Sequence, residues 1–370
     1  MIAAMTAKSG NELLRRLQLR VPLIQAPMAG VSTPAMAAAA SNAGALGSLG
    51  VGATNAEGAA KMIRAARELL RGGGPLNINV FCHRPAVANR AVEAAWIERL
   101  RPRFARYGAT PPAALTEIYQ SFVADDAMLE QLVELRPEVI SFHFGLPSAQ
   151  RLQRLRKAGC VLIASVTNPA EANAVVAAGV DAVIAQGYEA GGHRGVFDPE
   201  GHDDRLGTLA LTRVLVSKLH VPVIAAGGIM DGAGIAAALK LGAVAAQLGT
   251  AFVGCPESSA DEGYRAALQS DAAFHTVMTA AISGRPARCL ANDFTRFAES
   301  VSPREIPAYP IAYDAGKSLH AAAKAKSEFG YGAQWAGQGA PLARTMPTAD
   351  LVRELAAELE EPGVRMRQYP

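Results

Sequence analysis

Residues Val161–Gly187, VLIASVTNPAEANAVVAAGVDAVIAQG, decide the fold. The stretch opens on VLIASVT, an apolar run with none of the alternation of a half-exposed strand. Unbroken runs of this kind are what parallel strands buried on both faces look like. Asn168 then caps a helix with Pro169 at its first position, and the helical pattern runs to Ala178 and stops at Gly179. A second apolar run, Ala182–Gly187, completes a strand–helix–strand unit.

The same unit recurs in both directions. Toward the N-terminus lie Val139–Gly145 (VISFHFG), Leu76–Phe81 (LNINVF), Ala45–Gly50 (ALGSLG) and Leu23–Met28 (LIQAPM). Toward the C-terminus lie Val221–Gly228 (VPVIAAGG), a helix over Asp231–Leu241 closed by Gly242, and Ala243–Thr250 (AVAAQLGT). Eight apolar runs alternating with helices predict an α/β fold, and the count of eight favours a (β/α)8 TIM barrel over a doubly wound open sheet. Two stretches are too long for simple crossovers. Residues 83–136 and 252–345 are expected to form a smaller, mainly helical substrate-binding lid, with the barrel built from 1–82, 137–251 and 346–370. Both insertions leave from C-terminal strand ends, the face on which barrel enzymes build their sites. The segment 252–345 reads as neither strand nor a single helix, Gly330–Gly339 as a loop, and Pro347–Pro370 as an outer helix with a short tail.

Composition excludes several function classes. Of 370 residues, 50% are hydrophobic and 19% charged, as in an ordinary globular chain, and the net charge of +3 offers no nucleic-acid or membrane-surface footprint. The run Val221–Val253 is broken by glycines and does not read as a membrane span. Cys82, Cys160, Cys255 and Cys289 are scattered without a CxxC pair, which reads as four reduced thiols. With no signal-peptide pattern, a cytoplasmic location is the expectation. No P-loop, GxGxxG unit or GxSxG motif is present, and with neither HExxH nor a close His/Cys pairing no metal is expected.

The chemistry-bearing residues cluster at strand ends. Gly227-Gly228 ends the seventh run and Gly249-Thr250 the eighth. Glycine lets backbone N–H groups converge on an anion, and these two loops are the usual phosphate site of such barrels. After the sixth run comes QGYEAGGHRG, Gln186–Gly195. Its Gly191 and Gly192 let a loop pass closely over a flat ligand, and His193 is carried to the barrel mouth as a candidate general base or anion anchor. Glu189 is a candidate orienter of His193, and Arg194 is expected to face solvent. Asn79 and Gln186 place amides at the ends of apolar strands, where they need a polar partner such as a ring edge or a neighbouring backbone. The backbone of Ala26-Pro27-Met28 is positioned to cradle a ring. His143, in FHFG, reads either as a satisfied core histidine or as a site residue. Tyr309, Tyr313 and Lys317, spaced by four, share a face if their segment is helical, although Pro310 disturbs the first turn.

With these residues assembled, the sequence resembles the nitronate monooxygenases, formerly 2-nitropropane dioxygenases, and specifically their class I group. The likeness is carried by QAPMAGVSTP, SFHFGLP, the block from ASVTNPAEA to EAGGHRG, PVIAAGGIMDGAGIAAALKLGAVAAQLGTAF, and YDAGK. The glycine pairs and EAGGH are shared with FMN-containing enoyl-acyl-carrier-protein reductases; SFHFGLP and YDAGK separate the two. The resemblance implies non-covalent FMN, with Ala26, Met28, Asn79, Gln186 and Gly191 along the isoalloxazine and ribityl chain. Gly227, Gly228, Gly249 and Thr250 then hold the phosphate, with Gln247 nearby. His193 is implied as the catalytic residue, with His143, Tyr309, Tyr313 and Lys317 around the substrate. The implied reaction oxidises alkyl nitronates such as propionate 3-nitronate with O2 to a carbonyl compound and nitrite, through a flavin semiquinone, in a detoxifying role. The partners are then a nitronate or nitroalkane and O2, and a homodimer is one candidate assembly. Two rival readings stand beside it: an NAD(P)H-dependent FMN enoyl reductase, and a flavin-binding protein without catalysis.

Overall fold

The computed structural model describes residues 12–360. All eight apolar runs form strands: β1 (Leu23–Gln25), β2 (Gly47–Gly50), β3 (Leu76–Phe81), β4 (Val139–His143), β5 (Val161–Val166) and β6 (Ala182–Gln186). A two-residue β7 (Gly192–His193) follows, then β8 (Val223–Ala226) and β9 (Ala245–Leu248). The barrel strands pair in parallel in the order β1-β9-β8-β6-β5-β4-β3-β2. A parallel bridge between Ile24 and Leu46 joins the two ends of that order, so the sheet closes into a (β/α)8 barrel.

Strand geometry explains why the runs are continuously apolar. Side chains alternate between lumen and helix layer. Along β5, Val161 and Ile163 join Ile24, Val139, Ile184 and Ile224 in one cluster, which fills the lumen and includes Leu13 and Leu17. Leu162, Ala164 and Val166 instead pack with the surrounding helices. The lumen changes character toward its C-terminal end. The lumen-facing positions one or two steps further on are Asn79, Ser141, His143, Ser165, Gln186 and Gln247, and several of these open into the site described below.

The helices start where the sequence says they should. Asn168 caps Pro169–Ala177 by accepting from the Glu171 N–H at 2.9 Å, and Asp231 caps Gly232–Lys240 through the Gly234 N–H at 2.8 Å. Helix Thr348–Glu360 packs its Leu351, Val352 and Leu355 beside Met36 and Ile235. The expected tail beyond Glu360 lies outside the described residues.

The two insertions share an apolar cluster of their own. Trp96, Leu100 and Phe104 from the first pack with Ile282, Phe294, Ile311 and Leu319 from the second. Helix Asp126–Leu135, also within 83–136, places Met128, Leu129 and Leu132 in the cluster that holds Val80 and Ile140. The reading of 252–345 as free of strands needs correction. It contains β10 (Thr276–Thr279) and β11 (Ala287–Leu290), an antiparallel pair that β7 extends, with His193 opposite Ala287. Four-residue strands reading TVMT and ARCL carry no apolar run, so pattern alone does not find them. No helix among the described residues is long and apolar enough to cross a membrane.

Candidate active site

One cavity of about 700 Å³ opens at the C-terminal end of the barrel, under the second insertion. Its walls include every residue expected to bind cofactor or substrate: Ala26, Met28, Asn79, His143, Gln186, Gly191, His193, Gly227, Gly228, Gln247, Gly249, Thr250, Tyr309, Tyr313 and Lys317.

The floor is backbone and amide. Gly227 and Gly228 both have positive φ, +124° and +71°. A Cβ on Gly227 would come within 2.7 Å of the Thr208 hydroxyl oxygen, and one on Gly191 within 2.4 Å of the Gly337 nitrogen. Side chains are therefore barred from Gly227 and Gly191 by sterics. Thr250 accepts at Oγ1 from the Gly337 N–H at 3.0 Å. The Asn79 amide donates to both the carbonyl and the hydroxyl of Ser141, at 3.1 and 3.0 Å. Its Oδ1 is thus left for the cavity. Gln247 Oε1 is buried without any partner, and an orphaned buried acceptor calls for a donor from outside the chain.

The EAGGH loop is held by contacts that local sequence did not reveal. Gln186 donates to the His193 carbonyl at 3.0 Å and accepts from the Gly195 N–H at 2.7 Å, so its amide clamps the loop from both ends. Arg194, expected in solvent, is instead buried. It forms a two-pronged ion pair with Asp203 at 2.8 and 2.9 Å and donates to the Gln186 carbonyl. Such a fork fixes a loop in a way a lysine does not. Glu189 does not orient His193; its carboxylate accepts from the N–H and hydroxyl of Thr208 at 2.8 and 2.9 Å. A carboxylate beside the N–H groups of a helix start finds better partners there than a ring on the far side of the loop.

His193 meets residues that lie far away in sequence. Its Nε2 is 2.9 Å from Ser283 Oγ, and its ring packs on Tyr309 and Trp335 with centroids 5.3 and 5.1 Å away. His143 donates through Nε2 to the His193 carbonyl at 3.2 Å. Of the other expected substrate residues, Tyr313 and Lys317 stand one turn apart on helix Ile311–Lys324, while Tyr309 precedes the helix and still reaches the same wall. The Lys317 ammonium lies 4.8 Å from the ring centre of Tyr119 and 5.2 Å from that of Tyr313, a cation held on aromatic faces. Ser283, Trp335 and Tyr119 carry no motif signal; topology alone gathers them.

Burial sets the protonation states. It lowers His143 to about 4 and takes His193 well below its ordinary 6.5, with the neighbouring His143 and Arg285 adding to the effect on His193. Both rings are therefore neutral at pH 7. Tyr313 is pushed up to about 12 by burial, and Tyr309 higher still, so both phenols remain donors. Lys317 is lowered by burial, with Asp314 working the other way.

A stability prediction follows from the histidines. His83 and His143 stay neutral in the folded protein down to about 4, whereas an unfolded chain takes up these protons near 6.5. Below that pH the unfolded state binds more protons, so stability declines as pH falls from 6.5 toward 4. Most carboxylates titrate lower, so Tm measured between pH 7 and 5 isolates the effect. It should drop steadily for the wild type and less for His83→Phe, whose parent ring is buried against Tyr309 at 4.9 Å with both nitrogens unpartnered. A flat Tm over that range contradicts the assignment.

A (β/α)8 barrel whose C-terminal mouth holds a glycine-lined floor, an orphaned amide and a roof of histidine, phenols and ammonium has the build of a barrel enzyme. The chain belongs to the nitronate monooxygenase family, whose model matches residues 11–358. It is 62% identical to a nitronate monooxygenase of Paraburkholderia phytofirmans, over 99% of this chain and 100% of that one. It is 52% identical to the nitronate monooxygenase of Pseudomonas aeruginosa, over 94% and 99% of the two. Among solved structures it superposes on the nitroalkane oxidase of Streptomyces ansochromogenes with a TM-score of 0.84 and 40% identity, covering 92% of this chain and 96% of that one. FabK of Thermotoga maritima follows with a TM-score of 0.71 and 28% identity, covering 94% and 96%. The family and these neighbours are flavoenzymes, so the cofactor class is flavin. With relatives at 62% and 52% identity both named nitronate monooxygenase, the two rival readings stand behind the nitronate one.

Proposed function

We propose that this chain uses FMN to oxidise alkyl nitronates, such as propionate 3-nitronate, with O2 to a carbonyl compound and nitrite. The observation that carries the reading is the meeting of His193, Tyr309, Tyr313 and Lys317 in the same cavity as the glycine floor. In this reading Gly227, Gly228, Gly249 and Thr250 hold the phosphate. Ala26, Met28, Asn79, Gln186, Gly191 and Gln247 line the ring and ribityl chain, and Gln247 Oε1 gains the donor it lacks. Gln186 retains one amide hydrogen for the ligand after clamping the loop. When bound, FMN supplies the electron transfer between substrate and oxygen.

The chain's own residues bind and orient the substrate. Lys317 brings an ammonium, suited to the anionic nitro group. The phenols of Tyr309 and Tyr313, kept protonated by burial, donate hydrogen bonds to an anion instead of repelling it. His143 holds the His193 carbonyl, and His193 lies against the reacting carbon, able to take a proton there when the substrate is a neutral nitroalkane. The insertions 83–136 and 252–345 act as the lid, the first contributing Tyr119 and the second Tyr309, Tyr313 and Lys317. Four buried, unpaired cysteines suit a reducing compartment such as the cytoplasm.

Oxygen uptake tests this reading directly. Pre-formed propionate 3-nitronate should drive fast uptake and NADPH little, and the released cofactor should have the mass of FMN. Flavin bleaching by NADPH without any response to nitronate would transfer the chain to the reductases. Lys317→Met should raise the nitronate KM about 10-fold, the size of one charge-assisted contact, with a smaller change in kcat. An unchanged KM removes Lys317 from the substrate site.

A further inference from the structure

Ser283 is fully buried in the turn between β10 and β11, and nothing in its local sequence marks it. Three groups compete for its hydroxyl. The Arg285 carbonyl, 3.1 Å away, can only accept, and the Arg285 N–H, 3.4 Å away, can only donate. His193 Nε2, 2.9 Å away, is the third. A hydroxyl has one proton. If that proton goes to the carbonyl, Ser283 Oγ accepts from His193, and Nε2 carries the hydrogen. Nδ1 then keeps the lone pair, and no group among the described residues hydrogen-bonds to it.

We propose that Ser283 is a positioning residue that fixes His193 as its Nε2–H tautomer, so that Nδ1 is the atom that takes the α-proton from a neutral nitroalkane. The proposal rests on the nitronate reading and extends it to the un-ionised substrate. In the step, the C–H bond breaks and an N–H bond forms at Nδ1. The electron pair left on carbon delocalises into the nitro group, giving the nitronate, and the ring becomes an imidazolium that still donates to Ser283. No oxidant or co-reactant enters this step. The imidazolium arises together with the nitronate anion, and their attraction offsets the burial that otherwise disfavours it.

The turn around Ser283 is rigid enough for the task. Gly284 has φ +90°, and a Cβ there would come within 2.6 Å of the Pro307 oxygen and Tyr309 nitrogen. A Cβ on Gly316 would meet the Ile282 oxygen at 2.7 Å. The turn is thus wedged between the Tyr309 segment and helix Ile311–Lys324. It also carries Arg285, a buried guanidinium 4.1 Å from the ring centre of Phe144, which packs on His193 at 5.7 Å. Arg285 donates to the Val196 carbonyl and makes no ion pair among the described residues. The titratable and charged groups around His193 are His83 and His143 from the barrel side, Arg285 from the turn, and Tyr309, Tyr313 and Lys317 from the roof. None is a carboxylate, so nothing in this set draws a proton onto the ring. His83, His143 and Arg285 all oppose its charging.

Two measurements test the tautomer. Long-range 1H–15N NMR of the imidazoles in the flavin-loaded wild type should show His193 protonated at Nε2 between pH 6 and 8; protonation at Nδ1 overturns the proposal without any variant. Kinetics with nitroethane and with pre-formed ethyl nitronate supply the second arm. Ser283→Ala should lower kcat/KM for nitroethane about 100-fold, the lower end of what a positioned general base contributes. It should leave ethyl nitronate within about 3-fold, because no proton is removed there. Ser283→Thr, which keeps the hydroxyl, should restore most of the nitroethane rate. Equal losses on both substrates, or no loss on either, refute the positioning role. A wild type inert to ethyl nitronate sinks the parent reading instead, and the NMR result still decides the tautomer.

Discussion

Replacing His193 by asparagine is expected to lower kcat/KM for a neutral nitroalkane by about 10³-fold while the purified protein stays yellow. A positioned general base contributes roughly 10²–10⁴ in rate, and asparagine offers an amide of similar reach that does not accept a proton. Flavin should stay bound, because in the proposed arrangement its contacts come from Asn79, Gln247 and glycine backbone, and the imidazole packs on Tyr309, Trp335 and Phe144. The loss with pre-formed nitronate should be much smaller, since only the anion-facing role of the ring is removed. The expected pH profile is unusual. Burial holds His193 neutral well below 6.5, so wild-type kcat/KM for a nitroalkane should show no histidine limb near that pH. Should the variant purify colourless, His193 is a structural support of the flavin site and its role as base falls.

The barrel was readable because its strands are buried on both faces. Alternation between lumen and helix layer gives Val161 and Ile163 to one cluster and Leu162 and Ala164 to another, and both clusters demand apolar side chains. Periodicity therefore exposed all eight strands, and caps such as Asn168 and Asp231 marked the helices between them. Residues of the cavity floor were readable for a related reason. A glycine pair or an amide at the end of an apolar strand departs from its surroundings, and Gly227-Gly228, Asn79 and Gln186 all line the cavity. What stayed hidden depends on long-range pairing. Ser283 stands 90 positions from His193 and is brought to it by β7 adding to the β10–β11 hairpin. Strands of four residues with an arginine at one position leave no apolar signature. Arg194 misled because arginine is usually exposed; a carboxylate nine positions later, Asp203, makes its burial tolerable. Glu189 misled for the opposite reason: adjacency in sequence to His193 suggested a contact that the start of helix Thr208–Lys218 takes instead.

Gly228→Asp should yield a folded, colourless protein whose FMN affinity is about 10³-fold weaker. Gly228 lines the cavity with φ +71°, a conformation that aspartate tolerates better than most residues, so the backbone need not rearrange. Its new Cβ would stand 3.1 Å from Glu189 Cβ, a tight contact that the longer Glu189 side chain can partly relieve. The larger effect is electrostatic. A carboxylate about 4 Å from a phosphate, at an effective dielectric constant of about 20, is opposed by about 4 kcal/mol per pair of unit charges, and that energy corresponds to about 10³ in Kd. Gly228→Asn separates charge from bulk. It keeps the shape and the same tolerance for positive φ, so it should retain FMN far better than the aspartate. The two variants can be compared by visible absorbance as purified, by FMN titration, and by the Tm gained on adding FMN. If both lose flavin equally, steric crowding at Gly228 explains the loss and the phosphate need not be there. Equal retention in both places the phosphate elsewhere in the cavity, and the glycine floor then serves only to let the EAGGH loop and the 336–339 segment approach the barrel.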